Sequence, residues 1–438
     1  MPTAADSAGR RRFWSAFGPG LLWAATATGI SHLVQSTRAG ATAGFGLSGV
    51  VLLALVLKYP FFEYGPRYAA ATGESLVEGY RRIGAWALWA YLAITLLTAG
   101  IIQSAIVMFT AYLVGFTFGL DWPLPVLAAL VMAPGVLLLW RSRFKGLDVA
   151  IKAVLLVLAV STLIAAAVSV PRADFSTFAI WPTGLIGTAV PFAFVLALAG
   201  WMPSAIDVAV WSSLWTLAKN DASGQPCTVE TARQDFLVGY VGTAVLAFAF
   251  IVLGAGVMFG SGAAFADAGP AFSTQLVDLF SGALGEWTRP VVLVAVVTTM
   301  FSTTLTVLDG GPRAIERSLF VLRAGSGAGA HRGAAFRSDS GEPLQPGGTV
   351  YWWSLAALVV LTLVVMSAFI GNLTTMIDFA TIVSFLTGPL LGYLNLRAVT
   401  SDDMPAEHRP GPAMRALSWV GIVLLGGTGL FYLQSLLS

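Results

Sequence analysis

Charge is what this sequence has least of. Only 11% of its 438 residues are Asp, Glu, Lys or Arg, and 57% are hydrophobic. Soluble domains carry about 25% charged residues, so a water-solvated globular surface is excluded and a polytopic membrane protein is expected. Cysteine is down to one, Cys227, which excludes a disulfide framework and a cysteine-built metal cage. There are three histidines, two of them (His331 and His408) in loops, and no HExxH, phosphate-binding loop or nucleophile–base pair at usable spacing. These absences speak against an enzyme and against any cofactor or nucleic-acid partner. No cleavable leader is expected either. Residues 1–12 are polar, end in Arg10, Arg11 and Arg12, and run straight into an apolar span without a small-residue cleavage site.

What the chain has in abundance is long apolar runs. Runs of roughly 18 residues or more predict eleven membrane spans, at 13–37, 47–68, 84–115, 123–140, 148–170, 182–216, 234–258, 288–312, 350–370, 377–396 and 412–436. The linkers between them hold most of the polar residues, including a Gly/Ala/Ser/Arg-rich stretch from about Arg323 to Gly348. With the amino terminus in the cytoplasm, one side of the membrane collects Arg10–Arg12, Arg67, Arg81, Arg82, Arg141, Arg143, Lys145, Lys219, Arg233 and the arginines after the eighth and tenth spans. The other side keeps only Arg38, Arg172 and Arg289. By the excess of Lys and Arg on the inner side, this predicts a multi-pass protein of the plasma (inner) membrane with a cytoplasmic amino terminus.

Two spans are weak in the middle. In the first, GPGLLWAATATGISHLVQSTRAG, the run Ala27, Thr28, Gly29, Ile30, Ser31, His32 combines a glycine with hydroxyls that compete for backbone hydrogen bonds. In the sixth, ALAGWMPSAID, Gly200 and Pro203 interrupt the run. Inside a bilayer, freed backbone is tolerated only where it faces protein or a cavity, so the two breaks are expected to form one binding site. They fall five spans apart. An odd number of spans per unit inverts the second unit, which predicts an all-α 5+5 inverted repeat: a tail at 1–12, a first unit at 13–170, a second at 182–396 and an added helix at 412–436.

At this point the chain resembles a known family. GPGLLWAATATGISHLVQSTRAGATAGFGL, LLALVLKYPFFEYGPRYAAATGESLVEGYRR, WMPSAID and FSTTLTVLDGG are similar to the first, second, sixth and eighth helices of the Nramp divalent-metal transporters. The resemblance implies the LeuT-like fold and a secondary active transporter moving divalent metal ions, with protons as a candidate coupling ion. It also implies backbone and thioether ligands at Ala199 and Met202. The departures are as telling. The family's Asp-Pro-Gly-Asn break falls on Gly29, Ile30, Ser31 and His32, so its aspartate is missing, and the histidine after Met-Pro is Ser204.

The residues themselves leave alternatives open. Met202 is a soft ligand or a gap filler. His32 is a ligand, a coupling site or a hydrogen-bonded structural group. Asp207 replaces the missing carboxylate or, as Ser204-x-x-Asp207, caps the half-helix beginning there. Glu63 with Arg67, and Asp309 with Arg313, are spaced i to i+4 and form a proton path, a gate or helix-end ion pairs, with Lys58 on the turns before the first pair. Ser302, Thr303, Thr304 and Thr306 offer hydroxyls to a polar path or to neighbouring helices. Gly29, Ser31, His32, Ala199, Met202, Ser204 and Asp207 are thus the candidate substrate site, and His32, Ala199, Met202 and Asp207 its candidate metal ligands. Without the aspartate, the positive ends of the half-helices also suit an anion or small polar solute on the same fold.

Overall fold

The computed structural model describes residues 18–141, 144–182, 184–224, 226–324 and 348–437. The tail at 1–12, the first residues of the first span and most of the Gly/Ser/Arg-rich linker with His331 lie outside the described residues. The described residues are 82% helical and contain no strand. Among the described residues eight helices are long and apolar enough to cross a membrane. They are α3 (Ser48–Thr72), α5 (Ala85–Phe118), α6 (Leu124–Arg141), α10 (Val229–Val257), α12 (Arg289–Ala324), α13 (Thr349–Ser367), α14 (Leu373–Val399) and α15 (Pro412–Leu437). With α7 (Phe144–Ser169) and two interrupted spans, α1 (Pro19–Ala27) with α2 (Thr37–Ala43) and α8 (Phe192–Gly200) with α9 (Val208–Ser223), they account for the eleven spans expected.

Two helices were not legible as spans. Residues Leu76–Ile83, inside a segment that reads as a polar linker, form the amphipathic α4, opened by a capping box between Ser75 and Glu78. Residues Gly269–Leu284 form α11, too short and too polar for a hydropathy window to find. The sixth span also starts later than its composition predicts, because residues 184–191 turn and only Phe192 begins helix.

The first interrupted span packs on α10 through backbone contacts. A Cβ on Gly20 would overlap the Asp235 carbonyl, and one on Gly239 the Gly20 carbonyl; Gly40 meets Ile251, and Gly254 meets Thr37, in the same way. Small residues permit this approach where lipid offers no hydrophobic driving force between helices. The first span, α3, α9 and α10 thus form one bundle, while α5, α12, α13 and α6 pack with one another alongside it. Gly254→Leu drives a side chain into the backbone of α2 and is expected to cost at least roughly 1–3 kcal/mol, read as loss of the monodisperse peak in size-exclusion chromatography.

The start of α1 is held from a distance. The Asp235 carboxylate on α10 accepts from the backbone N–H of Gly18 at 3.2 Å and of Gly20 at 2.7 Å, satisfying orphan donors and the positive helix end together. Asp235→Ala is expected to lower stability by about 1–2 kcal/mol, measurable as a lower midpoint in detergent thermal unfolding.

Candidate functional site

Each broken span is interrupted where its small and polar residues lie. Helix α1 ends at Ala27, residues 28–29 bend, and the chain resumes helix at Ile30 through a π-helical turn at Ser31–Ser36 before α2. In the sixth span α8 ends at Gly200, residues 201–207 turn with a cis Met202–Pro203 bond, and α9 starts at Val208. The breaks touch: the Ser31 hydroxyl lies 3.2 Å from the Pro203 carbonyl. Between them is a buried cavity of about 30 Å³, lined from the first span by Thr26, Ala27, Ile30 and Ser31, and from the sixth by Trp201, Ser204, Ala205, Asp207, Val208 and Trp211. Ile102 and Ile106 of α5 and Thr303 and Val307 of α12 close it. In this conformation it has room for about two waters.

The expected residues divide. Ser31, Ser204 and Asp207 line the cavity, while Gly29 packs on Thr303 beside it. Met202 is fully buried in the apolar core and does not line it. His32 points away. Its Nε2 is 2.9 Å from the Thr243 carbonyl of α10, its Nδ1 is 2.7 Å from the Ser31 hydroxyl and 3.0 Å from the Ala27 carbonyl, and the ring meets Phe250 edge-on. Among the described residues no group of three or more His, Cys, Asp and Glu could hold a metal ion.

Two sequence expectations need correction. Ser204 and Asp207 form no capping box. Helix α9 begins only at Val208, so Asp207 itself holds the N-cap position, without a side-chain cap bond, and Ser204 lies in the turn ahead of it. Lys58 does not join Glu63 and Arg67. At 3.6 residues per turn those residues lie about 140° and about 180° around α3 from Lys58, and Lys58 faces the sixth span instead. Its ammonium lies 3.1, 2.8 and 2.8 Å from the carbonyls of Ala199, Gly200 and Ser204, close enough to Asp207 to interact with its charge.

The two spaced ion pairs form, well away from each other in the chain. Arg67 forks onto Glu63 at 2.7–3.0 Å and donates to the His408 carbonyl at 3.0 Å. Arg313 binds Asp309 at 2.8–3.1 Å, and the Tyr351 hydroxyl joins it at 3.0 Å from α13. Of the α12 hydroxyls, Thr303 bonds its own helix and the Ala25 carbonyl, and Thr304 lies 3.3 Å from Thr110 of α5; Ser302 has no partner.

Three features escaped the sequence reading. Lys58 was visible as a lysine ten residues into an apolar helix, the kind of intramembrane charge that marks a site, but it was grouped with its neighbours in sequence. On the opposite face, Gln35 and Arg38 converge on Asp378 at 2.9 and 2.7 Å, with the guanidinium 4.6 Å over Phe194, tying the first, tenth and sixth spans together. Trp211 lines the cavity; its indole N–H makes no well-formed hydrogen bond among the described residues, and the polar group beside it is the Tyr91 hydroxyl, which does not line the cavity. Cys227 lies outside the spans, its thiol pushed up by burial and then by the charge of Asp235, so slow alkylation by iodoacetamide at neutral pH is expected.

Eleven spans, two of them broken and facing each other around a buried cavity, make a multi-pass membrane fold built around one central site. The comparisons agree on the fold. The manganese transporter of Eremococcus coleocola superposes with a TM-score of 0.72 over 99% of this chain and 89% of that one, at 15% identity. Mhp1, a nucleobase-cation-symport-1 family transporter, gives 0.55 over 95% and 89% at 15% identity. MhsT, solved in complex with L-phenylalanine, gives 0.54 over 94% and 98% at 13% identity. The chain is therefore Nramp-like in architecture and LeuT-like in fold. No family model matches the sequence. In sequence it is 29% identical over 428 residues to the uncharacterized protein PM0681 of Pasteurella multocida, covering 96% of this chain and 92% of that protein.

Proposed function

We propose that the protein carries a small polar organic solute with a hydrogen-bond-accepting group, a carboxylate or amide carbonyl, by alternating access at the two breaks. The observation that carries this reading is the cavity wall. It presents the hydroxyl residues Thr26, Ser31, Ser204 and Thr303, two tryptophans and one carboxylate, and neither His32 nor Met202. Such a surface suits an acceptor-bearing organic solute: donors orient its polar end, and Ile30, Ile102, Ile106 and the indoles cover its body. Asp207 is then the proton or charge carrier of the cycle. Glu63 with Arg67 and Asp309 with Arg313 hold the arginine-rich end closed, and Arg38 with Asp378 holds the other. The unit boundaries at 13–170, 182–396 and 412–436, the plasma membrane and the cytoplasmic amino terminus belong to the same proposal.

A divalent metal is the second reading, favoured by the Asp207 carboxylate on the cavity beside Ser31 and Ser204. Calorimetric titration of the purified protein separates the two. Manganese, cadmium and magnesium are expected to give no heat, while a panel of small carboxylic acids and amides yields at least one binder that is weakened in Trp211→Phe. Manganese or cadmium binding that disappears in Met202→Ala or Asp207→Asn would establish the metal reading instead.

A further inference from the structure

Lys58 is the charged group that neither reading above requires. It lies mid-span in α3, 2% exposed, and its three N–H bonds meet three backbone carbonyls, those of Ala199, Gly200 and Ser204, at 2.8–3.1 Å. An ammonium has three donors, so none is left over. The carbonyls are there because the span is broken. Helix α8 ends at Gly200, so its last carbonyls lack the N–H groups of a continuing helix, Ala199 accepting from the Met202 N–H at 3.3 Å, and they carry the negative end of the helix. Ser204 adds a third oxygen because residues 201–207 turn back. The Asp207 carboxylate is close enough to act on the ammonium electrostatically, and the ring of Phe62 flanks it at 5.8 Å. Three carbonyl oxygens around one point, at a negative helix end and with a carboxylate nearby, are the oxygen-rich donor set of a cation site.

We propose that Lys58 is the tethered occupant of a cation site at the break of the sixth span. The lysine supplies from within the chain the positive charge that the exposed carbonyls and Asp207 require, so no diffusible cation is taken up there. Removing the ammonium uncovers a site for a small cation. The proposal goes beyond the functional reading above and does not depend on which solute is carried.

The test uses the full-length protein in detergent and follows its melting temperature in sodium, potassium, manganese or ethylammonium chloride, with choline chloride as reference. The wild-type protein is expected to melt at the same temperature in all of them. Lys58→Met, which keeps the side-chain length and loses the charge, is expected to melt lower in choline and to regain several degrees in at least one of the small cations. Adding Asp207→Asn is expected to remove that gain. Should Lys58→Met not fold in choline, recovery of monodisperse protein when it is purified in a small cation is the same expected result. A Lys58→Met protein that neither gains stability nor is recovered in any of the cations would overturn the proposal, leaving Lys58 as a helix-end cap. Stabilisation of the wild type by one of them that depends on Asp207 would overturn it too. The first result leaves the solute titration untouched, so this proposal can fail alone; a wild-type gain in manganese would count against the solute reading as well, whereas one in sodium, potassium or ethylammonium would not.

Discussion

Asp309→Ala is expected to cost about 3–5 kcal/mol, because it leaves the Arg313 guanidinium buried without its counter-charge. Arg313 is 8% exposed, and its Nε and Nη2 both bind this one carboxylate, which also takes the Tyr351 hydroxyl from α13. Removing the acid therefore breaks a link between two packed helices and strands a charge in a low-dielectric setting. The measurement is thermal unfolding in detergent together with the yield of monodisperse protein. Asp309→Leu with Arg313→Met is expected to recover much of the loss, since replacing both members of a buried pair by apolar groups is frequently neutral. A double variant as unstable as the single one would show that packing around Tyr351, not the stranded charge, sets the cost.

Asp207→Asn is expected to lower transport in proteoliposomes about 100-fold, or about 2.7 kcal/mol at 1.36 kcal/mol per factor of ten, with little change in folded yield. Asp207 is 5% exposed and is the one carboxylate lining the cavity, and Lys58 lies within reach of its charge. The amide keeps the shape but removes the charge, which alters the electrostatics of the site in every state of the cycle. Retained uptake in Asp207→Asn would take this residue out of the cycle and move attention to Trp211 and the hydroxyls. Asp207→Asn fills the same volume, so an unfolded product is not the expected outcome.

These two carboxylates also mark how far the sequence reading reached. The Asp309–Arg313 and Glu63–Arg67 pairs were predictable because a helix brings i and i+4 together whatever surrounds it, and both form as expected. Asp207 lines the cavity beside the break, yet its expected capping partnership with Ser204 depended on where α9 begins. That start was set by seven residues of turn that no local rule placed. His32 and Met202 were reasonable ligand candidates by type and position. Their orientation was decided by rotation about the helix axis, which turned His32 onto the Thr243 carbonyl and Met202 into the core.

By itself the sequence determined the membrane, the number of spans and the two breaks. Entry into a bilayer depends on the composition of about 20 consecutive residues, and a break depends on glycine, proline and hydroxyls within a few positions. The tertiary structure decided who meets whom across the fold. Lys58 reaches carbonyls 141 to 146 positions away, Arg38 finds Asp378 at a separation of 340, and Asp235 caps a helix 215 to 217 residues before it. Such pairs follow from how helices are rotated and how closely their small residues let them approach. A hydropathy pattern fixes which segments lie in the membrane but leaves those rotations open.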